Sequence, residues 1–503
     1  MTEADITALL QHIATFKQQP NASAQADYRV TVLEMYGLAL NVASHTQLNT
    51  TDILNLIAAE IKGLLVLDLR LPVSALAVQN LASSLSSWRE RLKLARYVYD
   101  TTCGAAPDEA SQTFYQSFLQ LLQSLFDYTF SAFTSAHVPP DNSYLVMGVG
   151  SLATGTVTPF SDVEYLILVQ DMNQIQFWEN FSLVMELLLL ALGETTLYKA
   201  TAHLADAKWQ PLLEAFRSGC RLDEHKKPND VNFLIKLIQT PEHFVSNMTL
   251  PDKILHGAGN HLTAALFTTR NLKGSQEMYE DFIERLTRAL PTRVFHDCIK
   301  ALLQQSLREC DTNINRVHAG AVSDAARAKV LKKQADAAAA GGAAAAGAAA
   351  DAAAADGRLS KKPRLGVPAA FQPTPVDIKT IIIDLLHIPR LLHLYLMSCG
   401  RAELNLTSDL AVVRQELLLF NFLVVPDLDD VVRKLLHFRC LKQLEFQKAS
   451  VKVNVLKLSQ ELSESDVLLD CSQIHTTLAR LKAAVEGCME EYCFVPTPPA
   501  VSY

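Results

Sequence analysis

The chain has 503 residues, which is long enough for two or three domains, each with a sizeable core. Hydrophobic residues make up 49% and charged residues 19%, a composition typical of a soluble globular protein and not of a disordered one. The formal net charge of −8 disfavours a protein whose main role is to hold nucleic acid along a broad basic surface.

The N-terminus and the cysteines predict a cytoplasmic protein. Acidic residues, Glu3 and Asp5, stand where a signal peptide would carry basic ones. The longest apolar run, residues 181–192, is too short to span a bilayer and contains Glu186, so no membrane association is expected. The nine cysteines are dispersed and form no Cys-x-x-Cys pair, which indicates reduced thiols and not a disulfide framework or a zinc site.

The first region, residues 1–112, is predicted to be helical. Ile6, Leu9 and Ile13 recur at the spacing of one helix face, and a similar apolar stripe runs through residues 53–65. No internal repeat is evident, although a degenerate array of helical hairpins would also fit this pattern.

The second region, residues 113–230, alternates between helical and strand patterns and is predicted to be an α/β domain. The order of its expected elements is helix, strand, strand, helix and short third strand, at residues 114–133, 144–147, 164–169, 173–192 and 219–224.

The rest of the chain is predicted to be helical on both sides of a linker. Residues 231–318 form a helical domain, with Pro241 at a helix start. Residues 319–372 are a linker that is partly helical at most, because their alanine and glycine run has no apolar stripe with which to pack. Residues 373–495 form a C-terminal helical domain with helices at 376–399, 408–423 and 427–448.

The most informative stretch lies between the two strands of the α/β region. The first strand runs into Gly150-Ser151, and Asp162 and Glu164 precede the second strand. Side chains alternate along a strand, so Asp162 and Glu164 project on the same side. Two such carboxylates can hold Mg²⁺, which prefers oxygen ligands and commonly shares them with a triphosphate. Glycine lets a phosphate approach the backbone closely.

This stretch resembles the polymerase-β-like nucleotidyltransferase superfamily, and within it the N-terminal domain of protein-PII uridylyltransferases and related nucleotidyltransferase domains. Those domains have a Gly-Ser or Gly-Gly followed by a Pro-Tyr/His-Ser-Asp-x-Glu/Asp strand, whose counterpart here is residues 159–164. Fainter similarity extends over residues 115–450, and includes segments at 192–195, 220–223, 376–379 and 438–441.

The resemblance implies a fold, a reaction and a set of site residues. The fold would be α+β and mostly helical, with a small mixed-sheet nucleotidyltransferase core flanked by N-terminal and C-terminal helical regions. Asp162, Glu164 and, as a third carboxylate, Asp223 would be catalytic and hold Mg²⁺ or Mn²⁺, while Gly150 and Ser151 would contact the phosphates of the nucleotide. The substrate would be a nucleoside triphosphate such as UTP. The acceptor would be a hydroxyl, which in the resembling enzymes belongs to a tyrosine of a small signalling protein.

Two departures from the family pattern put the activity in question. Relatives carry Arg and Glu in the Gly-Ser loop, where this chain has Thr154 and Thr156. The loss of arginine removes a bidentate phosphate donor. Relatives are also rich in glycine after the third acid, where this chain has residues 225–228, His-Lys-Lys-Pro. A nucleotide-binding sensor without catalysis, and a helical scaffold that binds no nucleotide, are therefore the alternatives.

Other charged residues have ordinary structural explanations. Lys226 and Lys227 would either steer a triphosphate or form a solvated loop pair, and the second is the simpler explanation. His296-Asp297 lacks the partners of a phosphohydrolase metal site and is predicted to be a pair on a helix surface. Basic residues 361–364 in the linker would serve as a nuclear-import signal, the alternative to a purely cytoplasmic location.

Overall fold

The structure is a computed structural model. The residues that it describes are 3–18, 25–43, 50–74, 79–134, 137–193, 203–209, 238–248, 267–345, 376–401, 403–446, 455–456, 467 and 469–492. Within helix residues 320–345 it describes the backbone and not the side chains.

The N-terminal part is helical, as predicted. Its helices are α1 (Glu3–Lys17), α2 (Gln25–Ala43), α3 (Thr51–Lys62), α4 (Leu81–Thr102) and α5 (Pro107–Ala132), and a π-helical turn (Gly63–Asp68) follows α3. Helix α5 begins with proline at its first position and Asp108 and Glu109 in its first turn, which suits the missing N–H of proline and the positive end of the helix dipole.

The central part contains a four-stranded sheet and short helices. Its elements are β1 (Tyr144–Gly148), α6 (Gly150–Thr154), β2 (Tyr165–Val169), α7 (Ile175–Ala191), β3 (Ile238–Gln239), α8 (Pro241–Met248) and β4 (Arg270–Gly274), with 3-10 turns at Asp141–Ser143, Met172–Gln174 and Ala207–Trp209.

The C-terminal part is again helical. Its elements are α9 (Gln276–Ala289), α10 (Arg293–Ala345), β5 (Val376–Asp377), α11 (Ile378–Ser398), α12 (Leu410–Leu419), α13 (Leu428–Phe446), β6 (Val455–Leu456) and α14 (Cys471–Glu491). Local chemistry explains several starts: Ser275 caps α9, Asp377 caps α11, and Asp470 forms a capping box with Gln473 at α14.

The sheet has the strand order β3-β2-β1-β4. Strand β1 is antiparallel to β2 and to β4, whereas β2 is parallel to β3, so the sheet is mixed. The register places Gly148 opposite Tyr165 of β2 and opposite Arg270 of β4. Strands β5 and β6 form a separate antiparallel pair.

Each face of the sheet packs against a different hydrophobic core. Tyr144 and Val146 of β1 enter the N-terminal core, which is built mainly from α1 to α5 and α7. Leu145 and Met147 enter the C-terminal core, which is built mainly from α8 to α14. This alternation follows from the two-residue period of a strand, and it explains why β1 and β2 are buried along their whole length.

The predicted fold class is confirmed in its coarse form: the described chain is mostly helical with a small mixed sheet. Two strands, β3 and β4, lie within residues 231–318, where only helix was expected. Strand β4 has the sequence Arg-Asn-Leu-Lys-Gly and lies at the edge of the sheet, so it lacks the apolar alternation that would have marked it. Helix α10 extends to Ala345, through the first part of the predicted linker.

Helix α11 is a long helix whose residues are largely apolar. Among the described residues, it alone has the length and composition to cross a membrane, with a hydropathy of 1.4 in its most apolar window. Of that window, 78% is buried inside the protein. Its side chains pack in the C-terminal core, where His393 is fully buried and lies 2.9 Å from Glu416. The helix therefore has the packing of a core helix.

Candidate functional site

The turn between β1 and α6 brings the two halves of the sequence motif together. Gly150 has a φ of +56°, in the left-handed region that favours glycine. A Cβ atom added to Gly150 would overlap a carboxylate oxygen of Glu164. The backbone N–H of Val149 donates to the Glu164 carbonyl oxygen at 3.0 Å. The Glu164 side chain therefore lies directly against the Gly-Ser turn, in space that only glycine leaves open.

Asp162 and Glu164 lie on the same side of the chain as it enters β2. Val163, between them, is buried at 1% exposure, whereas both acids are half-buried. Glu164 also shares its side of the strand with Leu166 and Leu168, which face the C-terminal core. The paired acids are thus placed at the seam between the sheet and the C-terminal helices.

The loop before Asp162 is fixed by a small turn and by α4. The Ser161 hydroxyl lies 2.8 Å from both the backbone nitrogen and the hydroxyl of Thr158. Arg96 of α4 donates from Nε to the Pro159 carbonyl oxygen at 2.9 Å, and its guanidinium stacks 4.2 Å from the centre of the Phe160 ring. Cation–π stacking and a charge-assisted hydrogen bond both restrain this loop.

Thr154 and Thr156 stabilise the short helix α6. The Thr154 hydroxyl donates to the Gly150 carbonyl oxygen at 3.1 Å and lies 2.7 Å from the Thr156 hydroxyl. On the other side of the helix, the Tyr115 hydroxyl donates to the Leu152 carbonyl oxygen at 2.7 Å and accepts from Arg270 at 2.6 Å. Thr154 and Thr156 therefore have a local structural role.

One residue of the site, Arg439 of α13, was missed by the sequence interpretation. Burial lowers the pKa of its guanidinium, and the charges of Asp162, Asp377 and Glu164 oppose that shift. Its half-buried side chain is therefore within electrostatic reach of both acids of the motif. Nothing in the helical pattern around residue 439 could have shown this, because the electrostatic interaction joins segments distant in sequence.

Several of the predicted functional residues cannot be placed in the site. Asp223, Lys226 and Lys227, like residues 361–364, lie outside the described residues. Among the residues that the structure describes, no three His, Cys, Asp or Glu side chains form a group that could hold a metal ion. Asp162 and Glu164 are two carboxylates, which is the type of donor that a hard cation prefers.

The prediction that His296 and Asp297 both lie on a helix surface is wrong for His296. His296 is buried at 3% exposure, and its Nδ1 lies 2.9 Å from the Ser398 hydroxyl. Asp297 is exposed and pairs with Arg293 one helical turn away, at 2.9 Å. The two side chains therefore point to different surroundings, because consecutive helix residues are about 100° apart.

Neither a scan against models of known protein families nor a search of curated proteins finds a match to this chain.

Proposed function

We propose that the chain is a divalent-metal-dependent nucleotidyltransferase that moves a nucleoside monophosphate from a nucleoside triphosphate to a hydroxyl group. The observation that carries the proposal is the contact of the Glu164 carboxylate with the Gly150 turn, with Asp162 on the same side of the strand. Acids and phosphate-accepting backbone are thus adjacent, although they are separated in the sequence.

In this proposal, some residues of the site would bind the metal ion and others would contact the nucleotide. Asp162 and Glu164 would hold Mg²⁺ or Mn²⁺, with Asp223 as a third ligand by resemblance. The ion would supply charge neutralisation at the phosphates. Gly150, which has no side chain, and Ser151 would border the triphosphate. Such sites act mainly by positioning and by compensating charge.

The reaction would form one phosphorus–oxygen bond and break another. The acceptor hydroxyl oxygen would attack the α-phosphorus, and the bond from that phosphorus to the bridging oxygen of the β-phosphate would break. Pyrophosphate would leave, and the hydroxyl proton would pass to solvent or to a carboxylate of the site. A protein hydroxyl or a small-molecule hydroxyl is the proposed acceptor, and UTP is one candidate donor by resemblance.

The test is turnover of each of the four α-labelled nucleoside triphosphates with Mg²⁺, measured as pyrophosphate release and as label transfer. The wild type is compared with Asp162→Ala and Glu164→Ala. Asp171→Asn is the matched control, because Asp171 is an exposed acid near the other end of β2, where it accepts from Asn173. Turnover that survives in both alanine variants would refute the assignment.

A second candidate function is a nucleotide sensor without catalysis. It is favoured by Thr154, which pairs with Thr156 and stands where the nucleotidyltransferases that this motif resembles carry an arginine. Equilibrium binding of a labelled nucleoside triphosphate without turnover, in the presence of candidate acceptors, would distinguish the sensor from the enzyme.

A further inference from the structure

Helices α10 and α14 pack side by side in the C-terminal core and run in opposite directions. Asp311 of α10 forms an ion pair with Lys482 of α14 at 2.9 Å. Seven residues further along α10 and seven residues back along α14, the ring centres of His318 and His475 lie 5.0 Å apart. Because that interval is about two turns of a helix, the ion pair and the histidine pair lie along one line of the helix–helix interface.

The histidine pair lies at a tightly packed interface and is open to solvent. Val317, Ile474 and Leu478, which flank the two histidines along the helices, are fully buried in the C-terminal core. His318 itself is exposed and His475 is half-buried. Among the described residues, neither ring has a hydrogen bond or an ion pair. The backbone positions of both rings are therefore fixed, while their nitrogens stay available to a ligand from solvent.

The spacing of the two rings fits two ligands of one metal ion. An imidazole nitrogen binds Zn²⁺ at about 2.0–2.1 Å, which places the centre of each ring about 3.2 Å from the ion. With the bond angle of a tetrahedral ion, two such ring centres are about 5 Å apart. The observed distance between the ring centres is 5.0 Å, and the ring planes are tilted by 40° and not stacked on each other.

We propose that His318 and His475 form a binding site for a divalent transition metal of the class of Zn²⁺, Cu²⁺ and Ni²⁺, to which each histidine supplies one ring nitrogen. Imidazole suits these ions, whereas Mg²⁺ prefers oxygen ligands, so this site differs in its chemistry from the paired acids beside the sheet. Two protein ligands leave the other coordination positions to water or to a second ligand. The site is independent of the proposed nucleotidyl transfer.

A metal ion at this position would join two helices that are distant in the sequence. Both histidines belong to helices that the core already holds in place, so little conformational freedom is lost when the ion binds. Among the side chains that the structure describes, Val317 is the last one of α10 in the C-terminal core. The ion would therefore fix α10 to α14 where that packing ends, and it would stabilise the folded chain because the unfolded chain does not bring the two rings together.

The experiment uses two metal probes with the full chain. One equivalent of Cu²⁺, which a given nitrogen site binds more tightly than Zn²⁺, is followed by electron paramagnetic resonance and should show two bound imidazole nitrogens. Zn²⁺ affinity is measured by competition with a chromogenic chelator in excess Mg²⁺, which occupies oxygen sites only. His318→Gln and His475→Gln should each remove the two-nitrogen signal and weaken Zn²⁺ binding by roughly tenfold or more, since even a residue that only supports a metal ligand contributes that much.

The matched control is His137→Gln. His137 is also an exposed histidine, and its Nδ1 lies 2.7 Å from the Thr134 hydroxyl. Its replacement should leave the copper signal and the Zn²⁺ affinity unchanged. Circular dichroism without metal checks that each variant is folded, and the exposed position of His318 makes His318→Gln sufficient for the test if His475→Gln does not fold.

Thermal unfolding gives a second readout. Added Zn²⁺ should raise the thermal midpoint of the wild type and of His137→Gln, and it should not raise that of His318→Gln. A copper signal and a Zn²⁺ affinity that are the same in His318→Gln as in the wild type would overturn the site. A wild type that binds neither ion would also overturn it, and the two rings would then be in packing contact only. Nucleotide turnover does not enter any of these measurements, so the proposed function stands or falls separately.

Discussion

The carboxyl group of Asp384 and those of the motif acids, Asp162 and Glu164, have opposite surroundings. Asp384, on α11, is 2% exposed and accepts one hydrogen bond from the amide of Asn313 at 2.6 Å. Asp162 and Glu164 are half-buried at a seam, beside a glycine turn and within reach of a guanidinium. The first carboxyl has a neutral partner and is closed off from solvent, whereas the two motif acids are partly open to solvent and have an opposite charge within electrostatic reach.

This difference indicates that Asp384 has a structural role. Burial raises the pKa of Asp384 to about 7, since its one amide partner compensates only part of the lost hydration. Its position inside the helices serves packing of α10 against α11. The motif acids, by contrast, are only half-buried and keep part of their hydration. Four substitutions test the roles assigned to these and other residues, and they are given from the largest expected effect to the smallest.

The largest effect is expected from Gly150→Ala. The new Cβ would overlap the Glu164 carboxylate, and the φ of +56° disfavours a side chain. Nucleotide turnover should fall by roughly a thousandfold, because the acid and the turn can no longer be adjacent. The measurement is steady-state pyrophosphate release. Gly104→Ala is the control, because no atom lies within 4 Å of its added Cβ; equal activity of the two variants would contradict the assigned role of Gly150.

The second effect concerns pH. The folded pKa of Asp384, about 7, is above its ordinary value of 3.8. The folded state therefore binds this proton more tightly than the unfolded state does. The free energy of unfolding falls as the pH rises from about 4 to about 7. Between pH 5 and pH 8 this group should cost the wild type about 3 kcal/mol.

Asp384→Asn should remove that cost, so the variant should gain stability relative to the wild type as pH rises. Urea unfolding of both proteins at pH 5 and pH 8 checks the difference. A stability difference that is the same at both pH values would show that the carboxyl is not protonated in the folded protein.

A smaller effect is expected from Arg96→Met. The substitution removes the hydrogen bond to Pro159 and the stacking on Phe160, which together should cost about 2 kcal/mol in the free energy of unfolding. Arg91→Met on the same helix is the control, because Arg91 is exposed and donates only to Ser124 among the contacts described. Chemical denaturation compares them, and equal losses would show that the loop does not depend on Arg96.

The smallest effect is expected from Gly487→Ala. Gly487 lies on the exposed side of α14, and no atom lies within 4 Å of its added Cβ. Alanine in a helix interior is favoured over glycine by about 1 kcal/mol, so the thermal midpoint should rise slightly. A lower midpoint would mean that α14 is not helical at this position.

Much of the fold could be predicted because its elements have clear periodicity. The strands expected at 144–147 and 164–169 are β1 and β2, and the helix expected at 427–448 is α13, each within about two residues. Strand β4 could not be predicted, since an edge strand need not alternate and Arg270–Gly274 is largely polar.

Less of the candidate site could be predicted. Period-two alternation was sufficient to place Asp162 and Glu164 on one side, and glycine preferences were sufficient to mark Gly150 as a turn. The position of Arg439 depends on how α13 packs between two cores, which is a property of the tertiary structure and leaves no local pattern. The role of Asp223 stays a prediction.

The hydrogen bond from Val149 to Glu164 has a consequence for variation in chain length. Strands β1 and β2 are already joined at this bond, so the stretch that links them closes a loop whose ends are fixed by the sheet. Doubling the length of such a loop costs only about 0.6 kcal/mol in closure entropy. Insertions placed after Thr156, where they leave its contact with Thr154 in place, would therefore lengthen the hairpin without separating the acids from the turn.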